Sequence, residues 1–293
     1  MIPAKVQMML PVAQTSGKRI PLSRLLAPWE IVRHLCQQGP LIRQITKRDL
    51  LMRYRGSYLG LLGSLVRPMA MFAVYAVVFG FIFRSKLGNT PHESKLDFAL
   101  ALFCGLIVFD FVAECLSRAP MLVLANPNYV TKVVFPLEIL CVSVVGAALA
   151  QMAISLVPLL AGLLLAHGAI PLTVLYLPLI VLPLILICLG AGWFLASLGV
   201  FVRDINSIVP VFLTVLMFAS AIFYSLSKVP PEFLSLFLLN PLAVAADQAR
   251  NAVLWGVAPS WPRYLLMLVI GLVTLSVGYA FFMRTKRAFA DVM

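Results

Sequence analysis

Polar and apolar residues along this chain separate into long blocks instead of alternating. The first sustained apolar block runs from about Leu59 to Phe83, and the hydrophilic stretch RSKLGNTPHESKLD follows it. A second block covers about Phe98 to Ser117. From Ile139 to Val202 there are 64 residues without one Asp, Glu, Lys or Arg. That is too long for one bilayer crossing and right for two, with the turn at AHGAIP, Ala166 to Pro171. VRDIN closes this pair, and further blocks run from Ser207 to Leu226 and from Arg263 to Met283. Apolar runs of roughly 20 residues predict helices, because barrel strands would alternate. The expected fold is an all-α membrane protein with six transmembrane helices, at about 59–83, 98–117, 139–166, 172–201, 207–226 and 263–283.

Two stretches follow a different pattern. Between the fifth and sixth spans, KVPPEFLSLFLLNPLAVAADQARNAVLWGVAPSWP holds apolar pieces of roughly eight to ten residues, too short to cross. Pro230 and Pro231 open it, and Asn240-Pro241 breaks it in the middle. This predicts two short re-entrant half-helices that return to one side. Ahead of the first span, Leu41, Ile45 and Met52 fall near one helical face, as do Leu51, Tyr54 and Tyr58. Arg43, Lys47, Arg48, Arg53 and Arg55 take the other side. The pattern predicts an amphipathic helix in the membrane interface. Residues 1–40 read as an N-terminal cytoplasmic extension, and 41–293 as a single membrane domain.

Composition supports that class. The 293 residues are 62% hydrophobic and only 12% charged, about half the charged share of a soluble domain. The net charge of +12 is a topology signal more than a nucleic-acid footprint. Ten of the 23 Lys and Arg precede Tyr58, and the rest cluster at span ends. With six spans, one side collects 16 of them and the other six: Arg84, Lys86, Lys95, Lys228, Arg250 and Arg263. The positive-inside rule then places both termini in the cytoplasm, near anionic lipid, with no nucleic-acid partner. Five cysteines occur without a CxxC, so neither a metal site nor a disulfide framework is expected. The first forty residues hold no apolar region long enough for a cleavable signal. SGK at Ser16–Lys18 lacks the glycine and hydroxyl residue of a phosphate loop.

Several features carry candidate chemistry. Arg67 lies eight residues into the first span, about 12 Å deep. Asp110, Glu114 and Arg118 recur every fourth residue on the antiparallel second span, with Asp110 at similar depth. A charge in lipid normally faces a partner or a wet cavity, so Arg67 is expected to pair with Asp110 or Glu114. Two readings stay open: a structural ion pair, or a cationic contact for an anionic head group. Phe72, Tyr75, Phe79 and Phe83 form one stripe on the first span, and Phe212 and Phe223, with Tyr224 beside, a second on the fifth. Such stripes pack helices, or they line a path for a sugar polymer, because aromatic faces stack on pyranose C–H faces without locking. His34, His92 and His167 read as isolated, and no catalytic constellation is present. The loop NPNYVTKVVFPLE could place a short apolar helix face against a cytoplasmic partner.

Together, RDLLMRYRGSYLGLLGSLVRPM, FPLEIL, GVFVRDINSIVPVFLTVLMFASAIFYS and NPL resemble, in order and spacing, the membrane subunit of ABC-2 type polysaccharide exporters. The likeness covers roughly Leu41 to Arg284. One departure is Gly63-Ser64 where members of that family often carry Trp. The resemblance implies a homodimer with two copies of a cytoplasmic ABC ATPase subunit. That subunit would hold ATP and Mg, and this chain no cofactor. It further implies export of a lipid-pyrophosphate-linked polysaccharide (O antigen, capsule or teichoic acid) across the bacterial inner membrane. By position, Arg43, Lys47, Arg48, Asn128, Tyr129 and Lys132 would dock the ATPase. Arg53, Arg55, Tyr58, Leu59, Gly60 and Arg67 would form the cytoplasmic mouth. The stripes Phe72, Tyr75, Phe79, Phe83, Phe212, Phe223 and Tyr224 would line the channel. Pro230, Pro231, Asn240 and Pro241 would belong to an outer gate. The alternatives are an ABC-2 permease for another lipid or hydrophobic small molecule, and a membrane-bound glycosyl- or acyltransferase.

Overall fold

A computed structural model describes residues 26–54, 63–78, 95–131, 135–226 and 229–292. These residues are helices and connecting turns, without a strand among them. The helices are α1 (Pro28–Gln37), α2 (Gly39–Tyr54), α3 (Gly63–Tyr75), α4 (Lys95–Arg118), α5 (Pro127–Thr131) and α6 (Glu138–His167). There follow α7 (Leu177–Phe201), α8 (Ile205–Ala219), α9 (Pro231–Leu239), α10 (Pro241–Leu254), α11 (Trp261–Thr285) and α12 (Phe289–Val292).

Four helical stretches are long and apolar enough to cross a bilayer: Leu96–Arg118, Glu138–His167, Leu172–Phe201 and Trp261–Ala288. They fall where the second, third, fourth and sixth apolar blocks lie. The uncharged 64-residue stretch divides at Gly168, whose left-handed φ of 70° ends α6. A residue without Cβ adopts that backbone at little cost. Of the first block, α3 and the π-turn at 76–78 are described; 59–62 and 79–83 lie outside the described residues. The fifth block differs from expectation. Its helix α8 ends at Ala219 after 15 residues, about 22 Å of rise against a hydrocarbon core of about 30 Å.

The close helix crossings rest on glycine. A Cβ on Gly190 would meet the backbone carbonyl of Thr274, and one on Gly278 the carbonyl of Gly190. So α7 and α11 touch backbone to backbone. Without a hydrophobic drive between helices in lipid, such close approach supplies the packing. Trp193 of α7 is wholly buried. Its ring meets Tyr279 of α11 edge-on at 5.0 Å, and its Nε1 donates to the carbonyl of Glu138 at 3.0 Å.

Two N-terminal helices pack on the rest of the fold. Residues 28–37 form a helix that belongs to the fold: Ile31 is buried, and Leu35 packs against the core. Helix α2, expected in the membrane interface, packs on α6. Ile45 is buried, but Leu51 and Met52 are more than half exposed. Thr46 instead packs where Gly146 of α6 leaves room, 3.0 Å from where a Cβ would stand. Asp49 accepts a hydrogen bond from Ser143 of α6 at 3.1 Å. Polar fit to α6 positions α2 as much as its apolar stripe does.

Candidate functional site

A cleft of about 730 Å³ opens between α3, α4 and α6, with Leu213 of α8 at its edge. Its walls include Gly63, Pro68, Met71 and Tyr75 from α3, and Phe103, Asp110, Glu114 and Arg118 from α4. Gln151, Met152 and Ser155 come from α6. The α4 lining runs from Phe103 to Arg118 at the end of that helix, so the cleft extends about 22 Å along α4. Four-residue spacing on α4 puts Asp110, Glu114 and Arg118 on one face. Arg118 Nη1 stands 3.8 Å from Glu114 Oε1, and that nitrogen is buried without a hydrogen bond. The structure therefore brings Tyr75 and the α4 acids into one cavity.

Arg67 precedes Pro68 on α3; its side chain lies outside the described residues, so its pairing with Asp110 or Glu114 stays an expectation. Phe72 sits between α4 and α6. Its ring packs on Phe103 at 5.1 Å and approaches the open Cα of Gly162. Phe79, Phe83, Arg55, Tyr58, Leu59 and Gly60 lie outside the described residues, as does the side chain of Arg53.

The second aromatic stripe is not one helical face. Phe212 sits on α8, 52% exposed, but Phe223 and Tyr224 come after the helix has ended. Phe223 stacks on Phe218 at 5.5 Å, and Tyr224 donates its hydroxyl to the carbonyl of Phe218 at 2.8 Å. Beyond the break, Arg250 of α10 holds the chain. It is buried to 1% exposure, with Nε donating to Ala101 O at 2.9 Å and Nη1 to Ala221 O at 2.9 Å. Ile222 O accepts from Nη2. Ala221 takes a left-handed φ of 51°, which non-glycine residues rarely adopt. Arg250, expected among the outer-side charges, is buried in protein.

At the opposite end, α2 and α5 meet. Arg48 Nη1 donates to the Tyr129 hydroxyl at 2.6 Å and lies over that ring at 5.9 Å. Tyr129 stacks on Phe135 at 4.4 Å. Arg48 also pairs with Asp49 at 3.2 Å. Arg43, Lys47 and Asn128 are exposed beside this contact; Lys132 lies outside the described residues. Two segments singled out separately, 81 residues apart, thus form one basic platform.

Two histidines are not isolated, contrary to expectation. His34 Nε2 bonds Glu138 Oε1 at 3.0 Å, and Lys286 Nζ donates to Glu138 Oε2 at 2.7 Å. One carboxylate so joins α1, the start of α6 and the end of α11. His167 bonds Asp97 at 2.8 Å across the other face. Sequence gave no signal for these pairs, because each partner is more than 60 residues away. Asn240 behaves as the broken NPL segment implies. Its Oδ1 caps Leu242 N at 3.0 Å, and its Nδ2 donates to Ala219 O at 3.1 Å and Ser220 Oγ at 3.0 Å. Pro230 and Pro231 are exposed. Among the described residues no group of three or more His, Cys, Asp or Glu could hold a metal.

Comparison with known proteins adds a family. The description "ABC-2 type transporter" matches residues 40–254. The chain is 28% identical over 264 residues to the O-antigen export system permease protein RfbA of Myxococcus xanthus, covering 89% of this chain and 98% of that protein. An RfbA of Klebsiella pneumoniae is 24% identical over 255 residues, with 86% and 95% covered. The polysialic acid transport protein KpsM of Escherichia coli is 24% identical over 254 residues, again with 86% and 95% covered.

Proposed function

The chain belongs to the ABC-2 type transporter family, and from that premise we propose that it is the transmembrane subunit of an ATP-driven polysaccharide exporter. It is a multi-pass membrane protein. Its cargo is a lipid-linked polysaccharide, most specifically O antigen, moved out across the bacterial inner membrane. The observation that carries the reading is the cleft: aromatic, amide, hydroxyl and carboxylate groups share a long cavity that reaches the Arg118 end of α4. Ring faces of a sugar stack on Tyr75, and hydroxyls exchange hydrogen bonds with Gln151, Ser155 and the acids. Each contact is weak enough to release a moving chain.

Two copies of this chain would meet through α3 and α8. Supporting this, Val66, Met69 and Val74 on α3, Val77 in the π-turn after it, and Ile208, Val211, Phe212, Val215 and Phe218 on α8 are all more than half exposed. Apolar faces of that extent suit lipid or a second subunit. The platform of Arg43, Lys47, Arg48, Asn128 and Tyr129 docks a separate ATPase subunit that carries ATP and Mg. Both termini lie in the cytoplasm on the charge asymmetry. Arg53, Arg55 and Arg67, whose side chains lie outside the described residues, would supply the cationic contact for the pyrophosphate of the cargo, with Arg67 also expected to pair with Asp110 or Glu114.

The test replaces Tyr75 and Phe79 with Ala together and measures surface polymer. Reduced export at normal protein level is expected; unchanged export would reduce the stripe to packing. The purified lone chain should not hydrolyse ATP. Strong hydrolysis by it would overturn the reading.

A further inference from the structure

The loop between α4 and α6 is seated at both of its ends. At the start, a Cβ on Gly199 of α7 would collide with the carbonyl of Pro120, so the loop lies directly on the backbone of α7. At the far end, Glu138 is held by His34 and Lys286. Between these anchors stands α5, five residues long. A helix that short does not hold itself together in water, so its position comes from what packs on it. Pro127 and Asn128 are exposed, and Tyr129 and Val130 are half-buried. Arg48 of α2 grips one side through the Tyr129 hydroxyl.

A second neighbour comes from the segment after α11. Helix α12 packs on both α5 and α7. Its first residue, Phe289, is wholly buried. The Phe289 ring meets Phe201 of α7 at 6.0 Å and Phe282 of α11 edge-on at 5.6 Å. Lys286, one turn earlier, is fixed on Glu138 at 2.7 Å. The segment 286–289 is therefore fastened at both ends, by an ion pair and by a buried ring. Helices α7 and α11, which receive that ring, touch backbone to backbone at Gly190 and Gly278. Through α12, the closely packed α7–α11 pair gives α5 its footing.

We propose that Phe289 is a positioning residue: through α12 it holds α5 in place for docking of the ATPase subunit. The proposal rests on the reading above that α2 and α5 form the docking platform. It assigns part of that platform's geometry to a side chain buried beneath it, on a different segment of the chain.

The experiment uses the full chain, alone and with its ATPase subunit. Spin labels are placed in a Cys36→Ser background, the other four cysteines being buried. A nitroxide on Asn128→Cys reports the mobility of α5. One on Val257→Cys, an exposed position ahead of the opposite end of α11, reports the rest of the fold. Deleting the ring leaves a cavity under α12. Phe289→Ala is expected to sharpen the resonance lines of the Asn128→Cys label and to leave those of the Val257→Cys label unchanged. Recovery of the ATPase subunit, measured on the tagged chain with Asn128 and Cys36 intact, should fall several-fold in Phe289→Ala. Phe289→Leu should restore both readings. Unchanged lines from the Asn128→Cys label overturn the proposal, as does full recovery of the ATPase subunit beside sharpened lines. Equal sharpening at both labels also overturns it, because Phe289 would then hold the whole fold. If Phe289→Ala does not accumulate, Phe289→Val is read by the same criteria. Failure of the unsubstituted chain to retain the ATPase subunit, or full retention by Arg48→Ala, would instead count against the docking reading, and the label would still report on the footing of α5.

Discussion

Breaking the Glu138–Lys286 contact should cost very different amounts depending on which partner is removed. Glu138 has a side chain only 3% exposed, and Lys286 one 27% exposed. Lys286→Met leaves the buried carboxylate with His34 as its remaining side-chain donor. Removing one partner of a buried pair costs about 3–5 kcal/mol. Glu138→Gln keeps the shape and leaves Lys286 and His34 able to turn to water, so the loss is that of a charge-assisted hydrogen bond, about 1.5–3 kcal/mol. Taking about 2 °C per kcal/mol for a chain of this size, the midpoints fall by about 6–10 °C and about 3–6 °C respectively. The double variant should be milder than Lys286→Met alone, because the charge that needed the partner has gone. Thermal unfolding of the four proteins in one detergent, followed by intrinsic fluorescence, completes the cycle. If Glu138→Gln unfolds below Lys286→Met, or the double variant is the worst of the three, the carboxylate is not the group whose burial His34 and Lys286 compensate.

Other outcomes follow from single contacts. Gly190→Ala puts a methyl against the Thr274 carbonyl; backbone cannot yield as a side chain can, so a loss of about 1–3 kcal/mol or more should appear as little monodisperse protein in size-exclusion chromatography. Tyr129→Phe removes the hydroxyl held by Arg48 at a cost of about 0.5–1.5 kcal/mol. It should weaken co-purification of the ATPase subunit, less so than Arg48→Ala, which also removes the cation from the ring face. Ala221→Gly relieves a left-handed backbone at φ 51°. Since that conformation costs an L-residue roughly 1–2 kcal/mol and glycine returns part of this as chain entropy, the melting temperature should rise by a degree or two; a fall would mean that the methyl's burial outweighs the strain.

Periodicity and charge located the four long spans because hydrocarbon thickness acts on each segment separately. The turn at Gly168, the interruption at Asn240-Pro241 and the acidic face of α4 were legible for the same reason: each depends on residues within a turn or two. The failures share an opposite cause. His34 and His167 looked isolated because their carboxylates lie more than 60 residues away. Residues 28–37 looked like an extension because their helix is stabilised by burying Ile31 against the core, a contact absent from local pattern. The apolar block 207–226 looked like a continuous span because hydropathy cannot register that Arg250, from another helix, captures the carbonyls of Ala221, Ile222 and Tyr224.

The sequence alone therefore determined that this is a helical membrane protein, where most of its crossings fall, and which transporter family it resembles. Those properties follow from solvent partitioning and from residues close together in the chain. Tertiary structure decided the rest: that Tyr75 and the α4 acids share a cavity, that Arg48 reaches Tyr129, and that Arg250 is an internal pin and no surface charge. Each of these depends on where one helix meets another, and a buried polar group is read correctly only when its distant partner is in place.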